Sequence, residues 1–282
     1  MSSENLTVLV PVMNGSQYLD RKIESLKNSF LNYTGSVSVF ISVNLSSDDS
    51  YAKVLALVGD DNRFKVFSHQ HELSMLENFR FLLRQSDSEY ICFSAVDDFT
   101  NEIFFSESIE MLKNNPESVG SKAKATFFPP VHGSTPIAFS IVGNEYERCK
   151  VFIQFRRVSH AVNYAVFRKK YLEEFMVKFN KAFIGYDWTW GLWMASKGPI
   201  LETPNGMIEF TANGVSRNPE VFKILATNKL DRYIPYLKLS ASVLRIAVNI
   251  KSLKAKLFLA KFSIELIIAN LNRQVFKIIN KN

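Results

Sequence analysis

Leu6-Thr7-Val8-Leu9-Val10-Pro11-Val12 runs into Met13-Asn14-Gly15, and Tyr18-Leu19, Ile23, Leu26 and Phe30 follow at helical spacing. An apolar, β-branched run without polar alternation predicts a strand buried on both faces. Asn14-Gly15 predicts the turn that closes it, and the later spacing predicts a helix. The texture then repeats. Val37–Val43 reads as a second buried strand, closed by Asn44-Leu45-Ser46-Ser47-Asp48-Asp49, with a helix over Asp49–Val58 and a short strand at Phe64–Phe67. Leu73–Leu83 is helical, and Tyr90–Ala95 is a fourth buried strand that runs straight into Asp97-Asp98. Short apolar strands separated by helices predict βαβ units and a mostly parallel sheet, an α/β fold. Such sheets bind ligands beyond the carboxyl ends of their strands, so the informative residues are Asn14, Asn44 with Asp48, and Asp97 with Asp98.

Past Asn115 the texture changes. Residues 119–168 look like strands and loops, Tyr171–Phe179 reads as a helix, and another opens at Gly185-Tyr186-Asp187-Trp188 and stops at Lys197-Gly198-Pro199. Ile200–Val215 reads as a strand pair around Asn205-Gly206. The expected organisation is a body over 1–228, split near residue 115, and a tail over 229–282.

Composition narrows the class. With 47% hydrophobic and 22% charged residues in 282, the chain is globular rather than disordered or collagen-like. Cys92 and Cys149 cannot make a disulfide framework and suit a reducing compartment. No signal-peptide pattern opens MSSENLTVLV and no apolar run is long enough to span a bilayer, so a cytoplasmic protein is expected. The net charge of +7 is uneven: residues 229–282 carry 11 Lys/Arg against two acids, while residues 1–228 carry 23 bases against 25 acids. Along the tail, Leu239, Val243, Ile246, Ile250, Leu253, Leu257, Ala260, Ile264, Ile268, Leu271, Val275 and Ile278 mark a continuous apolar stripe on one helix or a pair. Three readings stand for it: a helix packed on its own domain, an interfacial helix on anionic lipid, or a homo-oligomer seam. A nucleic-acid partner is not expected, because the stripe leaves no face of simple phosphate contacts.

Asp97-Asp98 is the sharpest chemical signal. Adjacent carboxylates repel, and a divalent cation would neutralise them; the alternative is an acidic cap for a helix near Asn101. Asp187, among Tyr186, Trp188, Trp190 and Trp193, reads either as a cap or as a base beside a surface on which a sugar stacks. His69 and His71 read as loop residues, since no acid or cysteine at ligand spacing joins them. His160 after Arg156-Arg157, and Arg217 after Gly214, are positions from which a phosphate is clamped or which are simply solvated. No G-x-G-x-x-G, P-loop or G-x-S-x-G run is present.

Taken in order, the motifs resemble family 2 glycosyltransferases with the GT-A fold. Val8-Leu9-Val10-Pro11-Val12-Met13-Asn14-Gly15 with Tyr18-Leu19 and Ile23-Glu24-Ser25-Leu26 resembles their opening, and Ser42-Val43-Asn44-Leu45-Ser46-Ser47-Asp48 their second signature. Glu77-Asn78-Phe79 and the run into Asp97-Asp98 resemble the approach to their acidic motif, and Tyr186-Asp187-Trp188 before Gly198 their acceptor-side acid. The resemblance covers roughly residues 6–215 and departs at Met13, Val43, Ala95 and Tyr186. Ala95 stands where the family's Asp-x-Asp carries its first acid.

The resemblance implies a Rossmann-like, mostly parallel sheet flanked by helices, with a C-terminal helical extension. It implies a donor-binding set of Pro11, Asn14, Asn44, Asp48, Asn78, Asp97 and Arg217, Mg²⁺ or Mn²⁺ on Asp97 and Asp98, and Asp187 as general base. The implied reaction is inverting transfer from a nucleotide-sugar donor to a saccharide, including one on polyprenyl diphosphate. The tail would then hold the enzyme peripherally at the inner face of the cytoplasmic membrane. The rival reading is a catalytically degenerate scaffold of the same fold.

Overall fold

Buried strands with no polar face require helices on both sides, and the chain supplies them. The computed structural model describes residues 5–128, 138–158, 160–211, 231 and 233–279; Arg217 lies outside them. In chain order the first half is β1 (Asn5–Val12), α1 (Ser16–Ser29), β2 (Ser36–Val43), α2 (Ser50–Val58), β3 (Phe64–Ser68), α3 (Met75–Gln85), β4 (Tyr90–Phe93), β5 (Phe99–Thr100) and α4 (Phe104–Asn114). Then come β6 (Gly120–Phe128), α5 (Glu145–Phe155), α6 (His160–Asn163), β7 (Val166–Arg168), α7 (Lys169–Lys178), α8 (Tyr186–Lys197) and β8 (Ile200–Thr211). Two helices close the described chain, α9 (Leu237–Asn249) and α10 (Leu253–Ile279).

Two compact units result. The first holds the described residues within Met1–Ser140, Ala161–Asn180 and Ile200–Ala212, including one eight-stranded sheet in the order β3-β2-β1-β4-β7-β6-β8-β5. β3, β2, β1 and β4 are mutually parallel, β7 runs against both β4 and β6, and β8 runs parallel to β6. Leu6, Val8, Val10, Val39, Ile41 and Cys92 are buried in the core on which the sheet packs. Pro11 sits in a central strand without harm. The Leu9 carbonyl accepts from Ser94 at 2.9 Å and the Val12 carbonyl from Asn44 at 2.8 Å, so odd positions face β4 and even ones face β2. The missing N–H of Pro11 therefore falls just past the last paired residue of β4.

The second unit holds Ile141–His160, Lys181–Pro199 and the described residues from Asp231 onward. Its helices α5, α8, α9 and α10 pack in pairs: α5 on α8, α9 on α8 and α10 on α5, which are distant in sequence, and α9 on the adjacent α10. Arg148 of α5 caps α8, its Nε donating to the Ala195 carbonyl at 2.8 Å and its Nη2 to that of Ser196 at 3.4 Å.

Three expectations need correction. Residues 145–155, read as strand or loop, form α5, opened by a capping box in which Asn144 and Glu147 exchange hydrogen bonds at 3.1 and 2.9 Å. Ile200–Val215 is not a strand pair over its described part. β8 is one strand whose two halves both pair in parallel with β6, with a register shift between Lys122 and Lys124. The Asn205-Gly206 signal makes a bulge instead of a hairpin because the Glu107 carboxylate accepts from both backbone N–H groups, at 2.9 and 2.8 Å. The apolar stripe, finally, is not continuous in its burial. Leu239, Val243, Ile246 and Ile250 are buried, but Leu253, Leu257, Ile264, Ile268 and Leu271 are exposed. α10 turns a different row inward, Ala255, Leu259, Phe262 and Leu266, and small Ser263 meets Ser240 of α9 with hydroxyls 2.5 Å apart. The side chains of Val275 and Ile278 lie beyond those described.

Glu107→Ala removes a charged acceptor from three donors, the third being Asn205 Nδ2 at 2.8 Å. The expected cost is about 1–3 kcal/mol in urea unfolding. An unchanged midpoint would mean that pairing with β6 alone holds the bulge.

Candidate functional site

The carboxyl ends of β1, β2 and β4 come together, and their turns are tied to one another by side chains. Asn14 takes a left-handed backbone (φ 51), a conformation asparagine tolerates better than most residues. Its Oδ1 accepts from the Ser47 N–H at 2.8 Å and the Ser47 hydroxyl at 3.1 Å. Asp48 accepts from Ser16 N–H at 3.0 Å and Ser50 N–H at 3.1 Å, so one carboxylate serves the first turns of α1 and α2. Against the cost of burial, the Ser50 hydroxyl and these N–H donors hold its carboxyl below the ordinary value. Gly15 passes between Val12 and Val96, where a Cβ would meet either side chain at 3.1 Å.

Asn44 is buried, and its amide is spent on the chain before α3. Oδ1 accepts from Leu73 N–H at 2.9 Å and Nδ2 donates to the Leu73 carbonyl at 2.7 Å. Asn78, on α3, is also buried, and its Oδ1 has no hydrogen-bond partner among the described residues. His69 bonds Ser42 through Nε2 at 2.7 Å and stands edge-on to Phe81, which gives it a packing role.

The two acids after β4 part company. Asp97 is half-buried and accepts from the Thr211 hydroxyl at 2.9 Å. Asp98 is buried: loss of water and the neighbouring Asp97 charge push its carboxyl up, while Lys22, the Thr211 N–H and the Tyr164 hydroxyl pull it back. Neither acid caps a helix, since β5 follows them and α4 starts at Phe104 with no side-chain cap.

Lys22 is the residue that sequence reading missed. It is fully buried on α1, and its ammonium donates to Ser94 Oγ and to the Asp98 carbonyl, each at 2.6 Å. Burial lowers its affinity for the proton and Asp98 restores part of it. The signal was present: Leu19, Lys22, Ile23 and Leu26 share the inward face of α1, so a lysine occupies a core position. The cation absent from the local pattern around Asp97-Asp98 thus arrives from another element.

This donor set fits a divalent cation in a restricted way. Among the described residues no three His, Cys, Asp or Glu side chains form a metal cluster. Asp97 is one partly exposed carboxylate, Ala95 offers none, and Asp98 is balanced by Lys22. One carboxylate plus substrate phosphates and water suffices for Mg²⁺, so Asp97 is the residue that would hold it.

Asp187 belongs to the second unit. Gly185, with φ 88, is the cap of α8, and a Cβ there would meet Leu239 at 2.8 Å, so Asp187 stands in the first turn and does not cap. It is half-buried. Burial of the carboxyl pushes it above its ordinary value, against the Trp188 N–H and the nearby His160. Arg156 lies over the rings of Trp188 and Phe262, at 5.4 and 5.3 Å, which packs the guanidinium on aromatic faces. Cys92 and Cys149 are buried thiols pushed up to about 12, which removes both as nucleophiles.

A mostly parallel sheet with antiparallel β7 inserted beside β4 has the architecture of the GT-A fold. The chain belongs to glycosyl transferase family 2, whose profile matches residues 7–175. No curated protein sequence matches it. Among solved structures it is similar to Staphylococcus aureus TarS 1–349 in complex with UDP-GlcNAc, at 14% identity and TM-score 0.64, over 95% of this chain and 72% of that one. It is also similar to the mannosyltransferase PcManGT of Pyrobaculum calidifontis in complex with GDP-Man and Mn²⁺, at 11% identity and TM-score 0.52, over 96% and 74% of the two chains.

Lys22→Met leaves Asp98 buried without its cation, at an expected cost of about 3–5 kcal/mol. A carboxyl whose proton affinity is raised on folding contributes stability below its unfolded value, and that contribution fades as pH rises. The deficit in melting temperature is therefore expected to grow from pH 5 to pH 8. A deficit independent of pH would mean that the loss is one of packing alone.

Proposed function

We propose that this family 2 glycosyltransferase is an inverting enzyme that moves a sugar from a nucleoside-diphosphate donor to a saccharide hydroxyl. The observation that carries the reading is the partly exposed Asp97 carboxylate in the turn after β4, a turn whose Val96 packs against Gly15 next to the bonded Asn14 and Asp48. Pro11, Asn14, Asn44, Asp48 and Asn78 are the proposed donor-side residues, with Arg217 as a further phosphate contact. Asp97 would hold a divalent cation, with Asp98 behind it. Mg²⁺ or Mn²⁺, when bound, supplies neutralisation of the charge that gathers on the diphosphate. TarS and PcManGT carry nucleotide-linked sugars in the structures above, which supports a donor of that class.

Asp187 is the proposed general base. Its carboxylate takes the proton from the acceptor hydroxyl as that oxygen bonds to the anomeric carbon. The bond to the diphosphate oxygen breaks on the opposite face, and the configuration inverts. A raised proton affinity suits this work, because a carboxylate of ordinary basicity is a poor acceptor for a hydroxyl proton. The acceptor we propose is a saccharide, including one borne on polyprenyl diphosphate at the inner face of the cytoplasmic membrane, with 229–282 as the attachment segment.

A second reading rests on Ala95 and on Lys22 balancing Asp98: a family member that binds donor without transferring it. Asp187→Asn separates the two. The first reading expects a loss of about 10²–10⁴ in turnover with donor affinity nearly unchanged, checked by transfer assay and calorimetry. Loss of donor binding in the variant would make Asp187 structural, and wild-type protein that binds donor but never transfers it would favour the second reading.

A further inference from the structure

Eight of the large apolar side chains that stand exposed among the described residues lie on α9 and α10. That is a concentration and not a scatter, and concentrated apolar exposure marks a surface that something covers. On α10 the row is Leu253, Leu257, Ile264, Ile268 and Leu271, with Leu253 69% and Leu257 64% exposed. At about 100° per residue these five fall within a sector of about 60°, opposite the inward row of Ala255, Leu259, Phe262 and Leu266. α9 carries a matching outward row that ends at Val248, 77% exposed.

The charges beside the row are predominantly basic. Lys254 and Lys261 border it on one side and Lys256 on the other, while Glu265 is the one acid within Leu253–Leu271. The two helices form a single antiparallel layer. Ser240 bonds Ser263, Tyr236 N–H donates to Asn270 Oδ1 at 3.1 Å, and the Glu145 carboxylate accepts from Ser252 N–H at 2.7 Å at the bend. One side of the layer packs on α5 and α8, and the apolar rows occupy the other. Among the described residues no helix is long and apolar enough to cross a membrane.

We infer that the outer face of the α9–α10 layer docks flat on an anionic lipid surface, the row from Leu253 to Leu271 entering the acyl boundary and the bordering lysines meeting the headgroups. The charge pattern selects this occupant. Two copies of the same basic face repel, and a helical seam would pair lysines with acids at its edges, where this face has Glu265 alone. Anionic headgroups complement the lysines, and apolar residues flanked by lysine on both borders have the form of an interfacial helix. The inference rests on the attachment assigned above to 229–282 and not on the transfer chemistry, so a failed transfer assay leaves it standing.

The test is co-sedimentation of the full chain with vesicles of phosphatidylcholine alone and with about one-third phosphatidylglycerol. Wild type is expected to bind the anionic vesicles at least about tenfold more tightly, and salt is expected to weaken that binding. The triple variant Leu257→Gln/Ile264→Gln/Ile268→Gln and the double variant Lys256→Gln/Lys261→Gln, which spares the Lys254 ammonium packed over Tyr146, are each expected to lose about tenfold with melting temperatures unchanged. Should either variant fail to fold, the lipid-charge and salt dependence of the wild type decides alone. Equal binding to both vesicles, binding unaffected by the variants, or no binding overturns the inference. A dimer that the apolar variant dissolves, without vesicle binding, assigns the face to a second copy instead.

Discussion

The ammonium of Lys22 is the constraint around which the first unit is arranged. It reaches from the inward face of α1 to the turn after β4 and holds that turn by two hydrogen bonds. The turn carries Asp97 and Asp98, so the position of both acids relative to β1 depends on a side chain seventy-odd residues earlier in sequence. A buried cation with this geometry is strongly destabilising to remove and contributes little when compared with a well-packed apolar core. Its value is in specification: Asp98 is the acid that is buried and balanced, and Asp97 is left half-buried.

Around that turn, polar side chains do the work that sheet hydrogen bonds cannot do past the strand ends. Asn14, Asp48 and Asn44 each accept backbone N–H groups from a segment other than their own. Parallel strands all end on one edge, so their trailing loops meet there with unsatisfied donors and need acceptors at fixed places. The same residues that look like ligand contacts in sequence are therefore also the ties of the loops. A change at Asp48 would disturb two helix starts before it disturbed any ligand.

The strands and most helices were legible because burial on both faces leaves an uninterrupted apolar run, and β1, β2 and β4 fall within a few residues of their expected limits. What escaped was decided by partners distant in sequence. α5 has buried residues Arg148, Cys149, Phe152 and Ile153, a face interrupted by a charge whose acceptors are carbonyls of α8 and of Gly143 just before α5. The Asn205-Gly206 bulge depends on Glu107, and the inward row of α10 depends on Ser240. In α10 two apolar rows compete, and periodicity alone cannot choose between them; small residues at the contact with α9 make the choice. At the site, Asp97 was legible from its place after a strand, whereas Lys22 reads as an ordinary helix lysine unless its core spacing is noticed.

We propose that the carboxyl edge of β1, β2 and β4 holds a nucleoside diphosphate through Asp97. The most direct test is thermal unfolding with UDP, GDP, CMP and dTDP, each with and without Mn²⁺, for wild type and Asp97→Asn. A nucleotide at a hundred times its Kd adds about 2.7 kcal/mol, a readily visible shift. A Mn²⁺-dependent shift with one nucleotide, abolished in Asp97→Asn, is the expected result. No shift with any nucleotide, or an equal shift in the variant, would contradict it.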